Sequence, residues 1–193
     1  MRKANYDKFP STKLTGMLVQ GWDSIISMLK EKMDARKVLA VDLYTGVYEE
    51  EVLDAFSKEF SGRVMNVRDL MKPEKEIQAL TERFMTEDVL FGYVTNLKLE
   101  DYLDVDKVAA ARKQISEAKE TIVIIGTGAA VVAPQDAMVV YADMARWEIQ
   151  QRFRRHEVKA LGIDNRNDAV SLQYKRGYFN DWRAVSYTHL RAH

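Results

Sequence analysis

The chain contains 193 residues with 29 basic and 29 acidic side chains, so its formal net charge is zero and no overall field draws it to nucleic acid or to an anionic membrane. It contains no cysteine, which excludes disulfide scaffolds, thiolate zinc sites, iron–sulfur clusters and cysteine nucleophiles. No apolar stretch is long enough to span a bilayer and the first ten residues lack the apolar core of a secretory signal, so we expect a cytoplasmic protein that binds neither nucleic acid nor membrane.

Apolar residues at helical spacing predict a series of amphipathic helices. Asp23 or Ser24 is the predicted cap of the first helix, and Gly62 is the predicted C′ glycine after the second. Asp104 or Asp106 is predicted to open the fourth. The predicted helices cover residues 22–33, 52–60, 77–84, 105–115 and 146–158, together with the aromatic stretch 174–182.

Short apolar runs between these helices predict β-strands. The strongest is residues 121–125, an unbroken and mostly β-branched run that indicates burial on both faces, as in a parallel sheet. Strands and helices alternate, so we predict an α/β fold with three layers, a mostly parallel sheet and helices on both faces. The predicted strands are residues 38–42, 64–67, 89–94, 121–125 and 137–142.

The turn after the first strand lies where a phosphate-binding loop would be, because ligands bind at the carboxyl ends of the strands in open parallel sheets. Such a loop needs glycines for close approach, a lysine on the phosphates and a hydroxyl on Mg²⁺. With Gly46 as the middle glycine, Leu43 and Tyr48 fall at the outer glycine positions. Glu49 falls at the lysine position, and two more glutamates follow it. The turn is therefore either an ordinary strand–helix connection with an acidic first turn or a degenerate nucleotide site.

Two later segments suggest how an anion would be held. Gly126-Thr127-Gly128 follows the strongest strand and presents backbone N–H groups, unless it is only a tight turn. Arg152 and Arg155 stand three residues apart on a helix, so both can reach one phosphate, unless they form a solvated basic face. We predict no catalytic residue and no metal ligand. The hypothetical anion site comprises Thr45, Gly46, Gly126, Thr127, Gly128, Arg152 and Arg155.

Three segments together resemble the P-loop kinases, especially the uridine-kinase-like phosphotransferases. They are VLAVDLYTGVYEEEV, TIVIIGTGA and AMVVYADMARWEIQQRFRRHEV. In that family a pair of arginines closes over the phosphates, and Arg152 and Arg155 match that pair. Because Glu49 stands at the lysine position, the resemblance implies a kinase-shaped domain without kinase chemistry, for which a nucleotide is not expected. An active small-molecule kinase with a rearranged phosphate site is the alternative.

A closer resemblance is to the N-terminal part of long bacterial class I mannose-6-phosphate isomerases. It is carried by KANYDKFPSTKLTGMLVQGWDSIISMLKEKM and LGIDNRNDAVSLQYKRGYFNDWR. The resemblance implies a kinase-like domain ahead of a cupin region, which interconverts mannose 6-phosphate and fructose 6-phosphate on a Zn²⁺ held by His, Gln and Glu side chains. None of those ligands can be placed in this chain, so the implied partner is the cupin region. A regulatory module that binds a sugar phosphate or a nucleotide is a further alternative.

The last nine residues, VSYTHLRAH, resemble a translated sequencing adapter. We therefore expect residues 1–184 to form the kinase-like domain, with residues 1–35 as its N-terminal extension and first helix, and residues 185–193 to be an artefact. The alternative is a genuine flexible C-terminus. If residues were lost there, the preceding aromatic side chains are expected to be partly exposed. These are Tyr174, Tyr178, Phe179 and Trp182.

Histidines offer no metal site in the sequence. His156 has no companion histidine at ligand spacing, so we expect it at the surface. His189 and His193 are spaced i, i+4, but both lie in the adapter-like segment.

Overall fold

The computed structural model describes residues 10–13 and 15–189, with side chains up to residue 186. Within these residues, four parallel strands form a sheet in the order β2-β3-β1-β4. The strands are β1 (Val38–Leu43), β2 (Arg63–Asn66), β3 (Ile122–Gly126) and β4 (Met138–Ala142). The helices are α1 (Trp22–Met33), α2 (Glu49–Glu59), α3 (Glu74–Met85), α4 (Val105–Glu117), α5 (Ala129–Val132), α6 (Arg146–Arg154), α7 (Val170–Arg176) and α8 (Trp182–His189).

Two separate hydrophobic cores lie on the two faces of the sheet. On one face, Leu39, Val41 and Leu43 of β1 pack against apolar residues of α1 and α2. On the other face, Val38 and Ala40 pack against residues contributed by α3 to α8. Because successive strand residues point to opposite faces, an unbroken apolar strand is stable only between two such layers. The predicted three-layer α/β fold is confirmed.

The N-terminus of α4 shows how local chemistry sets an element boundary. The side chain of Asp104 accepts hydrogen bonds at 3.0 Å from the backbone N–H groups of Asp106 and Lys107. These are two of the N–H groups that a helix leaves without partners in its first turn. Of the two predicted capping residues, Asp104 is the correct one.

The predicted caps of the first two helices are wrong. Gly21 is the N-cap of α1 and no side chain caps that helix, so neither Asp23 nor Ser24 has the predicted role. The helix α2 ends with Phe60 as an extended C-cap, and Gly62 does not have a positive φ. A β-carbon at Gly62 would lie 1.9 Å from the carbonyl oxygen of Thr121. Close approach to the neighbouring chain, not helix termination, therefore requires this glycine.

The predicted strand at residues 89–94 is a loop. The Asp88 carboxylate accepts hydrogen bonds at 2.7 Å from the backbone N–H groups of Leu90 and Phe91, which turns the chain locally. The Phe91 side chain is 68% exposed, and its apolar neighbours in the loop are exposed too. Apolar composition alone predicts a strand here. The backbone N–H groups instead bond to the Asp88 side chain and not to a neighbouring strand.

The C-terminal region differs from the prediction in two respects. The helix α6 ends at Arg154, four residues earlier than expected, and His156 has a φ of +55°. Trp182 is 2% exposed and stacks on Phe153, so its predicted exposure is wrong, whereas Tyr174 is 36% exposed. Between α7 and α8 the chain forms a π-helical turn over Gly177–Asp181.

The adapter-like segment lies partly within the described residues. Val185, its first residue, is fully buried. The positions 190–193, including His193, lie outside the described residues. Within the described part of the chain, no helix is long and apolar enough to cross a membrane.

Candidate functional site

The turn between β1 and α2 packs against α6, the helix that follows β4. Gly46 has a φ of +93°, and a β-carbon there would lie 2.9 Å from Cγ1 of Ile149. A glycine is therefore required here for two reasons: the backbone has a positive φ, and a side chain would collide with Ile149 of α6. Adjacent connections leave from the carboxyl ends of β1 and β4, where open sheets bind ligands.

The three glutamates that begin α2 each contact a donor from another element. Glu49 lies 3.3 Å from Nε of Arg68, and Glu50 lies 3.4 Å from Nζ of Lys159. Glu51 accepts a hydrogen bond at 2.9 Å from the indole N–H of Trp22. Carboxylates in a first helical turn interact favourably with the helix dipole. Glu49 and Glu50, the first two residues of α2, are thus each paired with a cation of the protein.

Arg152 is bound to the turn itself. Its Nη1 donates a hydrogen bond at 2.7 Å to the carbonyl oxygen of Gly46, and its Nε lies 3.2 Å from Oε1 of Glu148. The guanidinium carbon lies 3.6 Å from the centre of the Tyr48 ring, a cation–π contact. The side chain is only 12% exposed. Arg152 is therefore a clamp between α6 and the turn.

Arg155 is held by two carboxylates. Its Nε donates to Glu157 at 2.8 Å and its Nη2 donates to Glu148 at 3.0 Å. The Tyr48 hydroxyl also donates to Glu157, at 2.5 Å. Hydrogen bonds from Arg152 and then Arg155 hold the pKa of Glu148 below its usual value, and hydrogen bonds from Arg155 and then Tyr48 do the same for Glu157. The two predicted arginines are therefore bound by carboxylates of the protein itself: Glu148 binds both, and Glu157 binds Arg155.

The second glycine loop holds an internal carboxylate. Asp42, at the end of β1 and 1% exposed, accepts hydrogen bonds from the N–H groups of Gly128 at 2.9 Å and Ala130 at 3.1 Å. A β-carbon at Gly126 would lie 2.9 Å from Cβ of Val67, so that glycine permits close packing. Of the backbone N–H groups that the sequence suggested for an external anion, that of Gly128 is therefore bound by this aspartate.

A cavity of about 350 Å³ opens beside the turn. Its lining includes Thr45, Gly46 and Thr127 from the predicted set, together with Arg68 and Lys159. The Thr45 hydroxyl is buried and has no hydrogen-bond partner among the described residues. The other four predicted residues lie outside the lining of this cavity, namely Gly126, Gly128, Arg152 and Arg155.

Several residues of this region were not identified from the sequence. Asp42 was noted only as the end of a strand, although a polar residue at a strand's carboxyl end is a recognisable signal. Glu148 stands four residues before Arg152, the spacing of a helical ion pair, and this signal was available too. Glu157, Arg68 and Lys159 reach the site through tertiary packing and give no sequence signal.

The part of the chain that the structure describes contains no set of side chains that could coordinate zinc. No group of three or more His, Cys, Asp or Glu side chains there lies close enough together to hold a metal ion. His156 is exposed, and its Nδ1 lies 2.5 Å from the carbonyl oxygen of Arg166. The zinc that the isomerase resemblance implies belongs to the cupin region, not to the residues described here.

Comparison with known proteins gives one match. Residues 21–190 match the model of the family described as "Domain of unknown function (DUF8485)". No curated protein and no solved structure matches the chain. The matched region contains the whole sheet and every residue of the turn, the cavity and the arginine clamp, and the chain belongs to this DUF8485 family.

Proposed function

We propose that this chain is a kinase-shaped domain that performs no phosphoryl transfer and serves as the non-catalytic N-terminal domain of a mannose-6-phosphate isomerase. The observation that carries its non-catalytic character is the charge arrangement at the turn after β1. Glu49 occupies the position of the lysine and is paired with Arg68. The isomerase assignment is supported by the sequence resemblance alone.

Binding a nucleoside triphosphate at this turn is energetically unfavourable. Its phosphates would lie beside three carboxylates on the first turn of α2. Arg152 and Arg155 would have to leave Glu148, Glu157 and the carbonyl oxygen of Gly46 before they could bind a phosphate. Those internal bonds compete directly with the ligand, because each guanidinium has a fixed number of donors.

Calorimetric titration with Mg-ATP tests the first part of the proposal. We expect no heat of binding, and no transfer of phosphate to uridine in a coupled assay. Micromolar binding that is lost in Arg152→Ala but retained in the exposed control Arg154→Ala would contradict the proposal and favour an active kinase. Circular dichroism of both variants separates a loss of binding from a loss of folding.

The isomerase part needs a separate test. We expect this chain to show no conversion of mannose 6-phosphate when Zn²⁺ is added, and appreciable turnover would contradict the proposal. An uncontaminated genomic copy of the gene should continue from codon 184 into a cupin region with His, Gln and Glu zinc ligands. A stop codon or an unrelated domain at that point would contradict the assignment.

The cavity beside the turn favours a second candidate, a regulatory module for a phosphorylated small molecule. Its volume of about 350 Å³ is within the range of small-ligand sites. The Thr45 hydroxyl supplies a buried polar group without a hydrogen-bond partner among the described residues. Arg68, Lys159 and Arg166 supply positive charge in the lining, although each is ion-paired with a carboxylate. A sugar monophosphate has fewer negative charges than a triphosphate, so the glutamates repel it less.

Thermal-shift measurements test this candidate with mannose 6-phosphate, fructose 6-phosphate and inorganic phosphate. We expect stabilisation by a sugar phosphate, weakened in Thr45→Val, which keeps the shape of the side chain and removes the hydroxyl. The exposed control Thr12→Val should respond as the parent chain does. A flat response to all three compounds would rule this candidate out.

A further inference from the structure

A buried polar cluster lies far in sequence from the turn after β1, where the π-helical turn meets the segment before α4. Its members are Tyr102, Arg176 and Asp181, which are 0%, 6% and 3% exposed. The π-helical turn spans Gly177–Asp181 and so begins directly after the arginine and ends with the aspartate. Turns of this kind often occur where a protein positions functional groups.

The cluster is only partly hydrogen-bonded. Nη1 of Arg176 donates at 2.9 Å to the hydroxyl of Thr81, and Oδ2 of Asp181 accepts at 3.1 Å from the backbone N–H of Leu161. Nε and Nη2 of the arginine, Oδ1 of the aspartate and the hydroxyl of Tyr102 have no hydrogen-bond partner among the described residues. A buried polar atom without a hydrogen bond destabilises the folded state.

The distances indicate a gap between the two charged groups. Nε of Arg176 and Oδ1 of Asp181 are 3.6 Å apart, which is too long for a direct hydrogen bond. A polar contact of this length is commonly bridged by water. Burial raises the pKa of the Tyr102 hydroxyl most, the Asp181 charge raises it further and the Arg176 charge lowers it.

The chemistry of the unpaired atoms selects the ligand. The arginine nitrogens can only donate hydrogen bonds and the carboxylate can only accept them, whereas the phenol does both. An anion without a proton cannot donate to the carboxylate, and a cation such as ammonium cannot accept from the arginine. Burial raises the pKa of Asp181 and the Arg176 charge lowers it. With both groups ionised their charges balance, so the cluster does not require an ion, and a water molecule, which is neutral and both accepts and donates, can satisfy all three groups.

We propose that Tyr102, Arg176 and Asp181 enclose a permanent internal water site that joins the π-helical turn to the segment preceding α4. The bound water accepts from the guanidinium of Arg176 and donates to Oδ1 of Asp181, and the phenol of Tyr102 completes its contacts. Buried waters of this kind make about three hydrogen bonds and are integral parts of the structure.

A high-resolution crystal structure of the full chain tests the proposal together with water–amide magnetisation transfer by NMR. We expect an ordered water within hydrogen-bond distance of all three side chains and long-lived water signals at their amides. Both should disappear in the double variant Arg176→Met/Asp181→Leu, which replaces the pair with apolar groups of similar size. A direct hydrogen-bonded ion pair without an intervening water would overturn the proposal.

The variant Tyr102→Phe gives a second readout that does not depend on the ion pair. It removes only the hydroxyl, so chemical unfolding should show a lower midpoint if the hydroxyl binds the water. An unchanged or higher midpoint would mean that the hydroxyl has no partner and would overturn the site as described. The exposed Tyr93→Phe, whose side chain is outside the cluster, is the matched control and should leave the midpoint unchanged.

Discussion

The carboxylate of Asp42 accepts a hydrogen bond at 2.9 Å from the backbone N–H of Gly128, 86 residues later in the chain. This contact joins the carboxyl ends of β1 and β3, which are adjacent parallel strands. It places a buried negative charge of the protein itself at the glycine loop that an external anion would otherwise occupy. The same holds for the turn after β1, where Glu49 and Glu50 are paired with Arg68 and Lys159 of the protein itself.

Replacement of Asp42 by asparagine should destabilise the fold. The side chain is 1% exposed, and it accepts from two backbone N–H groups. The amide has one accepting oxygen instead of two and carries no charge, so we expect a loss of about 2 kcal/mol in the free energy of unfolding. Urea denaturation measures it. The exposed Asp54→Asn, which loses only a surface ion pair with Lys58, is the control and should change stability little.

Replacement of Gly46 by alanine should be more costly than the same change at Gly21. Both glycines have φ near +90°, but a β-carbon at Gly21 would meet nothing within 4 Å, whereas at Gly46 it would meet Ile149. We expect about 1 kcal/mol for Gly21→Ala from backbone strain and about 3 kcal/mol for Gly46→Ala from strain plus overpacking. Thermal unfolding measures both, and equal losses would contradict the packing of the turn against α6.

The stability of the protein should fall on acidification partly because of Glu148 and Glu157. Hydrogen bonds from Arg152 and Arg155 to Glu148, and from Arg155 and Tyr48 to Glu157, hold the folded-state pKa values of both carboxyls below the usual glutamate value. A carboxyl with a lowered folded-state pKa stabilises the fold above its unfolded pKa and loses that effect as the pH falls through the folded value. The variant Glu148→Gln/Glu157→Gln should therefore show a weaker decrease in urea midpoint below about pH 5.

Asp164 provides a positive comparison for this pH experiment. A hydrogen bond from Arg166 lowers the pKa of Asp164 to about 2, so Asp164→Asn should weaken the acid dependence in the same direction. If both the double variant and Asp164→Asn retained the parent slope, the arginine contacts would not be the cause of the acid sensitivity.

The exposed loop 89–94 should promote self-association. Leu90 and Phe91 are 63% and 68% exposed, and their loop is fixed by the Asp88 carboxylate and by Lys175, whose Nζ donates to the carbonyl oxygen of Asp88. The variant Leu90→Ser/Phe91→Ser should lower light scattering at high concentration without changing the unfolding midpoint, because neither side chain is buried. Unchanged scattering would mean that another surface is responsible.

The elements of the sheet could be predicted because their signals are local. An apolar run of β-branched residues indicates a buried strand whichever neighbour it acquires, and β1 and β3 are buried along their whole length. The stretch 89–94 had a similar composition, yet Asp88 turned the chain there and no strand of the described residues pairs with it. Apolar composition alone does not show whether a strand will find a partner.

The candidate site could be predicted only in part, because several of its contacts join residues that are far apart in the sequence. The acidic first turn of α2 and the arginines of α6 are visible in the sequence. The glutamates oppose the binding of an anion and the arginines favour it. Of the partners of Arg152 and Arg155, the sequence indicates only Glu148, through its helical spacing from Arg152. Glu157 lies in the irregular segment after α6, and its contact with the Tyr48 hydroxyl spans 109 residues.

By itself the sequence determined the alternation of strands and helices, the parallel sheet between two helical layers, and the run of three glutamates at the start of α2. Those features depend on periodicity and residue type, which are properties of short segments. Only the tertiary structure decided that Arg152 bonds to Gly46, 106 residues away, and that Asp42 fills the loop after β3. Such pairings depend on strand order and on the packing of α6 against the turn, and these are set when the whole chain buries its two cores.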